Sequence, residues 1–322
     1  MKAFILRFLL FLSPFIAILP LEAILRDNTY AAKAKHLAEN RNAIEVVFFG
    51  SSHIWRAINP EYLDGNVSSL GLGGGAVDKD VALFNHVVNE LPNLKVVFFE
   101  LSDHSLEDYK GPNWAKNHLL LNHFGVRDYG KAQPPLNDWL LFTSQPKFYL
   151  EKFLFKPNLI ESGKYNQYGF MTERPDTSTN SRIDQFRSLN YDKKKIEETS
   201  EKKYLFRMKE NHFSTNLEAY KKNTSLLEKA IDRCVKMGID VVLLSTPKYY
   251  LYNEKMPSAR IERKNDFIED QLKKANVYYL DYAREYEDSV ELFANENHMN
   301  PLGAEVFTKD LKPYIDNLLN NH

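Results

Sequence analysis

A chain of 322 residues can bury a full core, and by length it is one large domain or one and a half ordinary ones. Its 42 basic and 43 acidic residues leave a formal net charge of −1, which gives no support to a nucleic-acid partner, whose binders carry a clustered basic excess. The single cysteine, Cys234, excludes an internal disulfide, and the lack of paired Cys/His ligands argues against a structural zinc site.

The chain opens MKAFILRFLLFLSPFIAILPLEAILR, with Lys2 and Arg7 ahead of an apolar run that Glu22 interrupts. With Arg7 snorkelling at one end, residues 8–25 are just long enough to span a bilayer. An uncleaved anchor within residues 1–29 is therefore expected. A cleaved signal peptide is the rival reading, but its candidate sites near Ala31 and Ala34 lie far past the apolar stretch. Pro14 and Pro20 count against a buried helix of the domain. Because a basic-then-apolar N-terminus is first of all an export signal, the remainder is expected outside the cytoplasm, on a single-pass bacterial membrane protein.

Residues 30–43 are polar and Ala/Lys-rich and read as a tether or short helix. Residues 44–49 (IEVVFF) form a run of strand length ending at Gly50, and its near-unbroken apolar character suits a strand buried on both faces of a parallel sheet. Residues 66–72 are a weaker strand, closed by Gly71, Gly73, Gly74 and Gly75. From Asp78 onward Val81, Phe84, Val87, Val88 and Leu91 recur at helical spacing, and Pro92 ends the pattern. Residues 95–101 (KVVFFEL) are the next strand. Later come an amphipathic helix at 217–237, a strand at 239–244, a helix at 260–275, a strand at 277–280 and a closing helix at 302–319.

Strands alternating with helices predict a doubly wound α/β domain over 44–322, with about five parallel strands. The stretch from about 103 to 215, with its charge run DKKKIEETSEKK at 192–203, breaks the rhythm. It reads as an insertion after the third strand, on the edge where α/β active sites lie.

In such sheets ligands bind beyond the carboxyl ends of the strands. There the sequence places Gly50-Ser51-Ser52-His53, Gly71-Leu72-Gly73-Gly74-Gly75, Ser102-Asp103-His104 and the stretch NENHMNPLGA at 295–304. A nucleophilic serine needs a base, and the base needs an orienting group. An oxyanion hole needs convergent backbone N–H groups, which glycines permit. Taken alone, however, a Gly-Ser-Ser ahead of a helix is more often a cap than a nucleophile.

Four separated blocks across residues 44–310 resemble the SGNH (GDSL-like) hydrolase superfamily. GSS at 50–52 resembles its Gly-Asp-Ser block, which implies Ser52 as nucleophile with Ser51 in the aspartate position. SLGLGGG at 69–75 resembles the second block and implies Gly74 as an oxyanion-hole residue. FFELSDH at 98–104 occupies the third, without the usual Gly-x-Asn-Asp, and His104 stands about where the oxyanion-hole asparagine would be. NENHMNPLGAEVF at 295–307 resembles the Asp-x-x-His block, implying His298 as base with Asn295 where the triad carboxylate belongs.

The resemblance implies a three-layer, flavodoxin-like fold, an oxyanion hole drawn from Ser52, Gly74 and His104, and no cofactor. Asn295 departs from it: an amide oxygen can accept from the imidazole but brings no charge, and such changes lower turnover steeply in serine triads. Glu296 or another carboxylate as substitute, or a bare Ser–His dyad, are the alternatives.

The anchor, the short tether and the GSSH opening are similar to membrane-anchored SGNH proteins of the bacterial envelope. That narrower likeness implies an esterase or acyltransferase for acyl groups, chiefly O-acetyl, on a cell-envelope or exported glycan, with a membrane-bound acyltransferase as a candidate partner. The alternative is a catalytically degenerate glycan-binding or accessory subunit.

Other features read as structural. His53 supports the turn, and His118 and His123, five apart, are off the spacing of a helical metal pair. GLGGGA satisfies a dinucleotide pattern, but the strand before it is short and Glu100 lies further on than the usual acidic residue. Cys234, on an amphipathic helix, reads as a buried inert thiol.

Overall fold

The computed structural model describes residues 19–64, 66–128, 137, 139–155, 164–172 and 215–322, together with Phe4, Arg7 and Ser13. Five strands form one sheet: β1 (Val46–Phe49), β2 (Val67–Ser69), β3 (Val96–Glu100), β4 (Asp240–Ser245) and β5 (Val277–Asp281). All pair in parallel, in the order β2-β1-β3-β4-β5. Around the sheet lie α1 (Thr29–Asn40), α2 (Ser52–Ala57), α3 (Val77–Val87), α4 (Asn117–Phe124), α5 (Leu141–Ser144) and α6 (Pro146–Phe155). They are followed by α7 (Leu217–Lys236), α8 (Tyr250–Lys255), α9 (Ser258–Gln271) and α10 (Pro301–Asn320). A two-stranded hairpin, β6 (Phe293–Asn295) and β7 (His298–Met299), precedes α10.

The unbroken apolar runs are explained by the two faces of the sheet. Val47, Phe49, Val97, Phe99, Val241 and Leu243 pack against α3, α7 and α9. Val46, Phe48, Val96, Phe98, Val242 and Leu244 pack instead against Ile54 of α2 and Phe307, Leu311 and Ile315 of α10. Alternate side chains thus face opposite helical layers. Phe48 and Phe98 stack with centroids 4.2 Å apart. Each Val or Phe buried in this way contributes about 1.5–3 kcal/mol relative to exposure. The result is a three-layer α/β fold.

Residues 30–40 of the stretch 30–43, read from the sequence as a tether or short helix, lie in α1, which packs onto the domain. Asn28 caps the helix, its side chain accepting from Tyr30 N and Ala31 N. Lys33 Nζ donates to Ser69 O at 2.6 Å, and His36 Nε2 lies 3.1 Å from Val67 O, so buried polar side chains meet backbone carbonyls of the edge strand β2. Upstream, residues 19–26 are helical. The buried Glu22 carboxylate accepts from Leu141 N at 2.7 Å and Phe142 N at 3.0 Å, holding the head of α5. Among the described residues no helix is long and apolar enough to cross a membrane. Most of the expected anchor at 8–25, like the charge run at 192–203, lies outside the described residues.

β4 pairs directly with β3, and the described part of the chain between them includes α4, α5, α6 and α7. Glu107 fastens its start, accepting from Arg260 Nε at 3.2 Å, Arg263 Nε at 2.8 Å and Asn216 N at 2.9 Å.

Candidate active site

The serine pair divides its work at the end of β1. Ser51 has extended backbone and is the N-cap of α2, its Oγ accepting from His53 N at 3.3 Å. Ser52 is the first helical residue and half-buried, and its Oγ lies 2.8 Å from His298 Nε2. The cap and the hydroxyl that meets the imidazole are therefore different residues.

The Asn-x-x-His spacing is a tight hairpin. Asn295 ends β6 and His298 begins β7, and the two pair across a two-residue connection. Asn295 Oδ1 lies 3.1 Å from His298 Nδ1 and also accepts from Asn297 N at 3.1 Å. A backbone N–H can only donate, so it fixes the oxygen of the Asn295 amide, not its nitrogen, toward the ring. His298 Nδ1–H then donates to that oxygen, and the Nε2 lone pair is left for the Ser52 hydroxyl. This is the tautomer a general base requires. The following Asn300-Pro301 closes the hairpin and starts α10: Asn300 Oδ1 accepts from Gly303 N at 2.9 Å, and its Nδ2 donates to Glu291 O at 2.6 Å.

Behind these residues lies a carboxylate that the sequence did not bring forward as part of the site. Glu100, the last residue of β3, is buried and accepts four hydrogen bonds. Ser51 N and Ser51 Oγ each donate to its Oε2 at 2.7 Å. His53 Nδ1 and Ser102 Oγ each lie 2.7 Å from its Oε1. At the other nitrogen of His53, Asn297 Nδ2 approaches Nε2 to 3.0 Å. An amide NH2 only donates, so His53 accepts there and gives its Nδ1–H to Glu100. His53 thus does more than support the turn: it links the Glu100 carboxylate to the hairpin that carries Asn295 and His298. The one signal for this in the sequence is the acidic residue ending the apolar run VVFFE.

The glycine block lies over the first turn of α2. Leu72 N donates to Gly50 O at 2.7 Å, and a Cβ on Gly71 would lie 2.6 Å from Trp55 N, so backbone meets backbone there. Gly74 has φ +73° and is exposed, with Lys116 Nζ 3.8 Å from where a Cβ would be. Neither Ser52 N nor Gly74 N donates to a protein group among the described residues. His104 is placed beside His53, with ring centroids 4.7 Å apart, and its Nδ1 lies 3.3 Å from Tyr252 OH. Glu296, the alternative acid, is buried in the hairpin turn, and its backbone carbonyl accepts from Tyr249 N at 3.0 Å.

Charge around the site is arranged about Glu100. Burial, and then the charge of Glu100, push the Asp80 carboxyl well above the ordinary carboxylate range, against a hydrogen bond from Gly50 N. Burial pulls the Lys248 ammonium down to about 8, opposed by Glu100 and Asp103. His53, Glu100 and His104 offer ligand atoms within 4.8 Å of one another. The donor set does not fit a metal ion, because both ring nitrogens of His53 are engaged and the Glu100 oxygens already accept four hydrogen bonds.

Away from the site, burial drives His118 and His123 down to about 4 and raises the Cys234 thiol to about 12, all three therefore neutral. The chain matches no protein-family model, no curated protein and no solved structure.

Proposed function

We propose that the protein is an SGNH-type serine esterase or acyltransferase, anchored in a bacterial membrane through residues 8–25 with its domain outside the cytoplasm. Its substrate would be an acyl ester, chiefly O-acetyl, on a cell-envelope or exported glycan. The observation that carries the reading is the Ser52 Oγ to His298 Nε2 distance of 2.8 Å, with Asn295 Oδ1 behind the ring.

Ser52 Oγ attacks the ester carbonyl while His298 Nε2 takes its proton. The Oγ–C bond forms, and the negative charge on the carbonyl oxygen is received by the amides of Ser52 and Gly74. Collapse breaks the bond to the leaving alcohol, which takes the proton from His298. Water or a sugar hydroxyl then attacks the acyl-serine, gives its proton to His298, and releases the acid or a new ester together with Ser52. A membrane-bound acyltransferase would be the natural source of acyl groups for the transferase form. No cofactor enters these steps.

The second reading, a catalytically degenerate glycan-binding or accessory subunit, draws on one observation: position 295 supplies an amide in place of a carboxylate. Labelling with a fluorophosphonate, alongside hydrolysis of p-nitrophenyl acetate, separates the two. The wild-type chain should be labelled and Ser52→Ala should not. Equal labelling of both, or of neither, removes the hydrolase reading.

A further inference from the structure

We infer that Glu100 is a positioning residue for His298 and that, through His53 and Asn297, it supplies the negative charge Asn295 cannot. This inference deepens the Ser–His reading above and rests on it. A continuous set of contacts runs from the carboxylate to the nucleophile. Glu100 Oε1 is 2.7 Å from His53 Nδ1, His53 Nε2 is 3.0 Å from Asn297 Nδ2, and Asn297 N is 3.1 Å from Asn295 Oδ1. Asn295 Oδ1 is then 3.1 Å from His298 Nδ1, and His298 Nε2 is 2.8 Å from Ser52 Oγ.

The role of Asn297 follows from its chemistry. Its side-chain NH2 meets His53 Nε2 and can only donate, so a second proton on His53 would face an N–H. His53 therefore stays neutral, and the Glu100–His53 pair keeps a net charge of −1. The His53 ring lies against the His298 ring, centroids 5.3 Å apart. When His298 takes the serine proton, the imidazolium forms beside a buried pair of opposite charge, where low dielectric preserves the attraction. In a triad with aspartate that charge would sit at 295. Here it sits one imidazole further back.

Other titratable groups surround the pair. Asp80 reaches Glu100 from α3, where burial and then the charge of Glu100 push its carboxyl well above the ordinary carboxylate range. Lys248, beyond β4, feels both Glu100 and Asp103. His104 and Tyr252 face His53, and Glu296 shares the hairpin with His298. None of them replaces Glu100 as the carboxylate bonded to His53.

The test is the titration of His298 in the full chain, followed by NMR of its ring and by the acid limb of kcat/KM toward p-nitrophenyl acetate. A nearby negative charge favours the imidazolium, so Glu100→Gln should lower the His298 midpoint by about half a unit to one unit. The acid limb should move to lower pH with it, and kcat should fall about tenfold. Supplying the charge locally should rescue the loss, so that Asn295→Asp/Glu100→Gln comes within a few-fold of Asn295→Asp alone. Should the Glu100→Gln chain fail to fold, Asn297→Ser must lower the His298 midpoint likewise, since it frees His53 to take a second proton.

A His298 midpoint that does not move in a folded variant overturns the inference. If Ser52 takes no label but the midpoint still falls, the hydrolase reading fails while the charge relay stands. If Ser52 labels and the midpoint stays fixed, only the relay fails.

Discussion

Because Asn297 N–H fixes the Asn295 oxygen toward His298, replacing that amide by a carboxylate changes charge and little else. The large loss attached to aspartate-to-asparagine changes in serine triads, ~10⁴ in kcat, reflects a wrong tautomer, and here the tautomer is already right. Asn295→Asp should therefore raise kcat toward p-nitrophenyl acetate by roughly ten- to a hundredfold. No gain, or a loss, would mean that the charge at 295 is not what limits the reaction. At this scale the sequence was only half legible. Ser52 and His298, whose side chains the structure brings to 2.8 Å, stand in blocks whose order points to them, and Asn295 follows from its spacing to His298. Glu100 and Asn297 do not stand out in that way. A glutamate at the end of an apolar strand reads as the point where the strand meets solvent. Only pairing with Ser51 and His53, 49 and 47 residues away, makes it the centre of a buried network.

Among the elements, β1, β3 and β4 were legible because their burial on both faces leaves apolar runs, whereas α1 reads from the sequence only as a tether or short helix. Its buried positions are Thr29, Tyr30, Lys33, His36 and Leu37, mostly polar, and they are held by bonding to the free edge of β2 rather than by an apolar stripe. The glycine block belongs to this scale as well. A Cβ at Gly71 would lie 2.6 Å from Trp55 N, and neither backbone can yield without parting the block from α2. Gly71→Ala should cost about 1–3 kcal/mol in urea unfolding, as overpacking does. On the proposed mechanism it should also lower turnover by up to about a hundredfold, since a shift of about 1 Å would misplace the Gly74 amide. Wild-type turnover in this variant would show that the block does not contribute to the site. Helix α4 carries a separate pH dependence. Its buried His118 and half-buried His123 have folded values near 4 against 6.5 when unfolded. Below pH 6.5 the unfolded chain takes up protons that the folded chain resists, so stability is full above 6.5 and is lost as pH falls toward 4. Each histidine accounts for a loss on the order of 3 kcal/mol across that window. Urea midpoints measured between pH 7 and 4.5 should fall steeply in the wild type and distinctly less in His118→Gln/His123→Gln. Parallel slopes would refute the assignment.

For the molecule as a whole, the packing upstream of β1 decides where the folded unit begins. The strand-helix pattern alone starts the domain at residue 44, which makes everything before it dispensable. The contacts argue otherwise. Strand β2 lies at the edge of the sheet, and an uncovered edge strand is a site for pairing with other chains. Lys33 and His36 of α1 meet the carbonyls of Ser69 and Val67 there, and Tyr30 and Leu37 join the same core as Val47 and Phe49. Further upstream, Glu22 accepts the Leu141 and Phe142 amides, which would lose that partner if the segment were removed. A chain starting at residue 19 retains all of these contacts and discards only part of the apolar N-terminus. It should run as a folded species on size exclusion, melt cooperatively, and take a fluorophosphonate label at Ser52. A chain starting at residue 44 loses α1 and Glu22 together and exposes the β2 edge, so it should aggregate or melt at least several degrees lower. Equal melting temperatures for the two chains would show that α1 rests on the domain without stabilising it, and would return the domain boundary to residue 44.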